Sequence, residues 1–252
     1  MAVFDQDQPL DLRPKISVCM ATYNGERYLS RQLESILTQL SDRDEVILVD
    51  DASTDNTVSI VSGLMDSRVI VVRHATNQGV IASFEDAVRG ATGDILFLSD
   101  QDDIWAPNRV SRTLEAFADN RELAVVVSNL ALINEEGTGF VTDKRLKQWP
   151  FDSRLIPNLI ANRFQVSAMA FRSSLIHKIL PFPKKFLFLH DAWIGARCAL
   201  TRSRVGYISE PLLFYRRHAE NVSGRLPVWL MVRKRVELLV ALVFDMVRRT
   251  YQ

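Results

Sequence analysis

Residues 93–105 read GDILFLSDQDDIW, an apolar run opened by a glycine and closed by three carboxylates within four positions. A short, uninterrupted apolar segment of this kind is a strand candidate covered on both faces, as in a parallel sheet flanked by helices. The same pattern recurs upstream as ISVCM (16–20), EVILV (45–49) and RVIVV (68–72), and downstream as LAVVV (123–127). Helical segments separate them. In YLSRQLESILTQL (28–40), Leu29, Leu33, Ile36, Leu37 and Leu40 keep one apolar stripe, and STDNTVSIVSGLM (53–65) opens with capping residues and closes near a glycine. Alternation of strand and helix through residue 128 predicts an α/β fold with a mostly parallel sheet and right-handed crossovers.

Each early strand is followed by a polar cluster: ATYNGE (21–26), DDASTDNT (50–57), HATNQG (74–79) and SDQDD (99–103). In a parallel sheet these clusters share one edge, beyond the carboxyl ends of the strands, where ligands bind. A shared polar ligand accounts for their repetition. After residue 130 the alternation fails. NEEGTG (134–139) reads as a turn, QVSAMAFRS (165–173) as a strand and HDAWIGARCALT (190–201) as a helix with Asp191 near its first turn. VGYISEPLLFY (205–215) reads as a final strand pair, and the tail from Pro227 as an apolar, basic helix with proline at its start. One domain spanning residues 1–252 is expected, with a first half (16–130) that carries the polar edge, a second half (131–224) of mixed pattern and a C-terminal amphipathic basic helix (225–252).

The chain of 252 residues is 47% hydrophobic and 24% charged, an ordinary composition for a globular protein with a substantial core. Its longest relevant uncharged stretch, LAVVVSNLALIN, falls short of the roughly 18 apolar residues of a membrane span. The N-terminus lacks the basic and apolar regions of a signal peptide, which points to the cytoplasm. Cys19 and Cys198 have no metal-ligand spacing and read as buried thiols. Net charge is +1, yet residues 1–140 carry 11 basic against 23 acidic side chains and residues 141–252 carry 20 against 7. The halves either attract each other or face different partners, a cation on one side and a phosphate or anionic surface on the other.

No dinucleotide, P-loop, zincin or esterase signature is present, and neither DQDDIW nor DDASTD has the glycine an EF-hand needs. Carboxylates crowded at a strand end repel one another until a cation or a proton intervenes, and hard oxygen ligands favour Mg²⁺ or Mn²⁺. Asp102 is the first candidate ligand, with helix capping by Asp102 or Asp103 as the alternative. Asp50 or Asp51 could accept a hydrogen bond from a pyrimidine imide or could close an Asx turn. Tyr23 could stack on that base or pack. Asp191 is either a helix cap or a general base, and His218 either a ligand, a phosphate contact or a structural residue.

Taken in order, these motifs resemble the inverting glycosyltransferases of family 2, of GT-A fold, over residues 16 to about 224. HDAW and YRRHAENVSG look particularly like rhamnosyltransferase-type bacterial members. The resemblance implies that Ala21, Thr22, Tyr23 and Glu26 line a nucleoside pocket and that Asp51 contacts the base. It places Asp100 and Gln101 at the ribose and diphosphate, and Asp102 on the metal. Asp191 matches the catalytic base, and His218 with Arg216 or Arg217 would lie on a loop over the diphosphate, His218 also serving the metal. The implied reaction moves a sugar, rhamnose among the candidates, from a UDP- or dTDP-sugar to a glycan or lipid-linked acceptor of surface polysaccharides. A sugar nucleotidyltransferase, or a non-catalytic nucleotide- or carbohydrate-binding module, is the alternative. No nucleic-acid partner is expected. The tail suits an anionic membrane at the inner face, the protein core or a second subunit in a homodimer.

Overall fold

The computed structural model describes residues 13–141, 151–160, 162–183, 190–218 and 227–250. Among these described residues, eight strands form one sheet in the order β3-β2-β1-β4-β7-β6-β8-β5. Its first half follows the predicted alternation: β1 (Ile16–Thr22), α1 (Leu29–Leu37), β2 (Glu45–Asp50), α2 (Thr57–Gly63), β3 (Val69–Arg73), α3 (Val80–Gly90) and β4 (Ile95–Ser99). Strands β1 to β4 run parallel, and the register sets Thr22 beside Asp50, Asp50 beside Arg73 and Met20 beside Ser99. That alignment brings the four polar clusters to one edge.

The second half continues the sheet. After β5 (Ile104–Trp105) and α4 (Arg109–Asp119) come β6 (Leu123–Ile133), α5 (Leu155–Ile160), β7 (Met169–Arg172) and α6 (Ile176–Ile179). The chain then forms α7 (His190–Leu200), β8 (Arg204–Arg216) and α8 (Val228–Thr250). β7 lies antiparallel between β4 and β6, while β8 runs parallel to β6 and antiparallel to β5.

Alternate side chains of the buried strands serve two cores. Val18, Met20, Leu48 and Phe97 pack with Leu29, Leu33 and Ile36 of α1 and with α4 on one face. Cys19, Ile47, Val49, Leu96 and Leu98 pack with Phe84 of α3, Trp193 of α7 and Leu238, Ala241 and Leu242 of α8 on the other. Each such aliphatic side chain removed from water contributes roughly 1.5–3 kcal/mol. Both cysteines are buried free thiols, and burial pushes Cys198 up to about 12.

Four expectations need correction. β3 is an edge strand with Ile70, Val71 and Val72 more than a third exposed, so its apolar run does not mark burial on both faces. QVSAMAFRS supplies only four strand residues, preceded by a 3-10 turn at Val166–Ala168. VGYISEPLLFY is part of one long strand: Pro211 sits at register shifts against Asn129, where a missing N–H is tolerated. Asp103 does not cap α4, whose N-cap position is Asn108.

Candidate active site

The loop after β1 turns sharply, with Asn24 at φ +48°. Gly25 permits the passage, because a Cβ there would lie 2.5 Å from Gln101 Oε1. Gln101 braces this loop: its Oε1 accepts from Thr22 Oγ1 (2.6 Å) and the Tyr23 N–H (2.8 Å), and its Nε2 donates to the Tyr23 carbonyl (3.1 Å). Glu26 ties the loop to the one after β2, accepting from Asn56 N (3.0 Å) and Nδ2 (2.8 Å) while its own N–H donates to Asp55. Ala21 and Thr22 are buried, whereas Tyr23 is 46% exposed at the rim.

Asp51 is buried at the end of β2. Its Oδ1 accepts from Gln78 N (2.8 Å) and meets His74 Nδ1 at 2.7 Å, and its Oδ2 accepts from Gly79 N (2.7 Å). Three of about four lone-pair directions are thus taken, leaving room for one more donor. His74 also reaches Asp86 Oδ2 at 3.0 Å. Burial pulls the imidazole pKa down, but its bonds to the two carboxylates outweigh that and hold it above the usual value. Sequence patterning exposed neither partner, because the spacings of 23 and 12 residues between them have no periodic signature.

The acids of DQDD occupy the turn between β4 and β5. Burial, then the charges of Asp102 and Asp191, push Asp100 up to about 7, with the Ser167 hydroxyl pulling the other way. Burial, Asp102 and Asp100 together raise Asp103 well above the usual range, although its Oδ1 accepts from the Arg216 N–H (3.1 Å). Asp102 Oδ2 meets His218 Nε2 at 2.8 Å, and the imidazole lies 4.9 Å from the Tyr28 ring. Arg216, one of the two arginines that the resemblance puts on the loop over the diphosphate, lies beneath the acids. Its Nε donates to the Asp102 carbonyl (2.8 Å), its other end to the Glu135 carbonyl (2.6 Å), and its guanidinium covers the Tyr28 ring at 4.9 Å. Gly137, at φ +72°, leaves space for it, since a Cβ would come within 2.7 Å of that guanidinium. The remainder of the YRRHAENVSG motif beyond His218 lies outside the described residues.

Asp191 enters from the first turn of α7. Its Oδ1 accepts from the Ala192 N–H (2.7 Å) and its Oδ2 from Asn162 Nδ2. Asn162 is itself fixed by two bonds to the Phe164 backbone. Burial raises the carboxyl to about 6, against those donors and the Lys234 ammonium of α8. His190, the residue before it, stacks on Phe84 with centroids 5.1 Å apart, and burial pushes it down to about 4, so it is neutral. Asn162 was not anticipated: a single amide in a loop 29 residues away carries no signal in one sequence.

Four carboxylates, at 100, 102, 103 and 191, therefore gather at one edge, and their mutual repulsion is what a divalent cation relieves. The oxygen of Asp102 and the nitrogen of His218 form a donor pair suited to Mn²⁺ or Mg²⁺ once phosphate oxygens and water complete the shell. Among the described residues, no group of three His, Cys, Asp or Glu is arranged to hold a metal unaided.

Comparison with known proteins bears on the family and the fold. An uncharacterised glycosyltransferase of Nostoc is 29% identical over 82% of this chain and 66% of its own length. The dTDP-rhamnosyl transferase RfbG of Shigella flexneri is 28% identical, covering 81% and 73%. The chain spans about half to two thirds of the first curated relatives it matches. Among solved structures, S. aureus TarS in complex with UDP-GlcNAc superposes with a TM-score of 0.68 at 21% identity, covering 90% of this chain and 66% of that one. The mannosyltransferase PcManGT of Pyrobaculum calidifontis, in complex with GDP-Man and Mn²⁺, superposes with a TM-score of 0.63 at 22% identity, covering 96% and 68%. These likenesses establish the GT-A fold. The model of "Glycosyl transferase family 2" matches residues 17–179, which contain β1 to β4 and the acidic turn, and the chain belongs to that family.

Proposed function

We propose that the protein is a metal-dependent inverting glycosyltransferase that moves a sugar from a UDP- or dTDP-sugar to a glycan or lipid-linked acceptor in surface polysaccharide synthesis. Rhamnose is one candidate, in keeping with the dTDP-rhamnosyl transferase relative. The observation that carries the reading is the electrostatic link across the site. The Asp100 carboxyl is raised first by burial and then by the charges of Asp102, which is paired with His218, and of Asp191, so the candidate metal ligands and the candidate base act on one buried carboxyl from different elements.

In this reading residues 16–130 bind the donor and residues 131–224 present the acceptor and base. The Tyr23 ring stacks on the nucleobase, and the remaining lone pair of Asp51 accepts its imide N–H. Gln101, Glu26 and Arg216 keep the loops in place from behind. Asp102 and His218 would hold the cation, which would offset charge on the departing diphosphate. Asp191 Oδ takes the proton of the acceptor hydroxyl as that oxygen attacks the anomeric carbon from the face opposite the diphosphate, and the centre inverts. A carboxylate titrating near 6 is a better proton acceptor than one near 4 and is still ionised at neutral pH. Asn162 and the Ala192 N–H aim it. The site faces the cytoplasm.

The decisive experiment measures nucleoside diphosphate release from a panel of nucleotide sugars with Mn²⁺. Release of UDP or dTDP, abolished by EDTA and lowered by Asp102→Ala through weaker metal-dependent donor binding, is expected. Pyrophosphate release would assign the site to a nucleotidyltransferase. Donor binding without turnover on any acceptor would favour the non-catalytic module.

A further inference from the structure

We infer that the outer face of α8 seats the protein on an anionic lipid bilayer. The helix buries one stripe, Leu238, Ala241, Leu242 and Asp245, against the core. Trp229, Val232, Val236, Val243, Phe244 and Val247 recur at spacings of three, four and seven on the opposite side, Trp229 65% and Phe244 71% exposed. A contiguous exposed apolar stripe of this kind marks an interaction surface. No helix among the described residues is long and apolar enough to cross a membrane, so the mode of contact is in the plane of the interface.

Charge selects the occupant. Helical spacing puts Arg233 and Arg248 along one border of the apolar stripe and Arg235 along the other. The two acids of α8 are both engaged within the protein: Glu237 with Arg233 at 2.8 Å, and Asp245 with Arg197 and Arg249, each at 2.8 Å. A second copy of the chain would set one arginine-bordered face on another and bring together two segments of 20 basic against 7 acidic residues. Anionic headgroups complement that charge, and acyl chains cover the stripe. The same helix carries Lys234, whose charge acts on Asp191 from the side of α8 turned toward the core, so α8 joins the lipid face to the half of the molecule that holds the candidate base. On the proposed function, which this last step requires, the acceptor is a lipid-linked glycan delivered from the bilayer side.

Flotation of the full chain with vesicles tests the seat. Binding is expected to phosphatidylcholine vesicles containing phosphatidylglycerol, weakened by salt, and to fall by about tenfold or more when Val236→Glu and Val243→Glu are combined. Arg233→Glu with Arg248→Glu should abolish the preference for anionic over neutral vesicles. Both variants should keep the parent melting temperature and the parent rate of nucleoside diphosphate release with a water-soluble acceptor. A folded chain that does not float, or one that floats equally well with both valines replaced, overturns the proposal. A dimer in sedimentation equilibrium that the valine substitutions dissociate would assign the face to a second copy. Flotation without nucleoside diphosphate release from any donor would remove the lipid-linked acceptor and the proposed function while leaving the lipid seat standing.

Discussion

The carboxyl of Asp191 receives hydrogen bonds from Ala192 and Asn162 and feels the Lys234 charge, yet burial still holds it at about 6. An acid whose folded pKa lies above its unfolded value binds protons more tightly when folded, so ionising it costs stability as pH rises from about 4 through about 6. That cost is what makes it a usable base. Turnover at saturating donor and Mn²⁺ should therefore fall about tenfold per pH unit below about 6 and reach a plateau above it. Asp191→Asn should lose about 10²- to 10⁴-fold in turnover with donor affinity retained. At pH 8 the same variant should melt higher than the parent, by up to about 3 kcal/mol in stability, because no charge is left to desolvate. A purely structural Asp191 would show a lower melting temperature and normal turnover. Asn162→Ala should move the acidic limb of the profile upward, since it removes a donor that favours the ionised form. An unmoved limb would deny Asn162 its positioning role.

An ion pair and two hydrogen bonds to carbonyls fasten α8 to the rest of the molecule. Asp245 bonds both Arg197 of α7 and Arg249 of its own helix, and Arg249 continues to the carbonyls of His177 and Leu180 around α6. The Arg197–Asp245 pair is more than nine-tenths buried. Removing one partner of such a pair leaves a charge in a poor medium, so Asp245→Ala should cost about 3–5 kcal/mol, read from urea midpoints. Replacing both partners with apolar residues, as Arg197→Met with Asp245→Leu, should recover most of the loss. A single variant within about 0.5 kcal/mol of the parent would mean that water already reaches the pair. Element types were largely readable in the sequence because apolar period and length separate β1, β2, β4, α1 and α7 from their surroundings. The two-residue β5 was not, since Ile104 and Trp105 have no period of their own and are held as a strand only by β8. The exposed face of β3 was equally hidden: Val69 to Val72 look like a central strand until the order of the sheet puts them at its edge.

The polar edge was legible at the scale of the whole molecule because four parallel strands, each followed by polar residues, leave few alternatives. The duties within it were not. Gln101 and Arg216, which the resemblance puts at the donor, also bond the backbone of a neighbouring loop, a pairing made by folding across 78 to 114 residues. The same long-range pairing bears on how the protein unfolds. The two halves distinguished by charge and pattern are not separate layers, because β7 of the second half sits between β4 of the first and β6. Phe171 of β7 belongs to the core packed against α3 and α7, while Ala170 belongs to the core packed against α1 and α4. Losing β7 therefore opens both cores at once and bares the β4 edge, including the fully buried Leu96 and Phe97. Chains beyond about 150 residues commonly unfold through intermediates, so a single transition here would be informative. Trp105 reports one core and Trp193 the other, both at most 2% exposed. In chains retaining only one of these tryptophans, the urea midpoint by fluorescence should coincide with that by far-ultraviolet circular dichroism. Phe171→Ala should lower both midpoints together, by about 3–5 kcal/mol in stability. A Trp193 transition that precedes the loss of strand signal, with Trp105 still native, would show that residues 16–130 hold together without β7, and the single-unit description would fail.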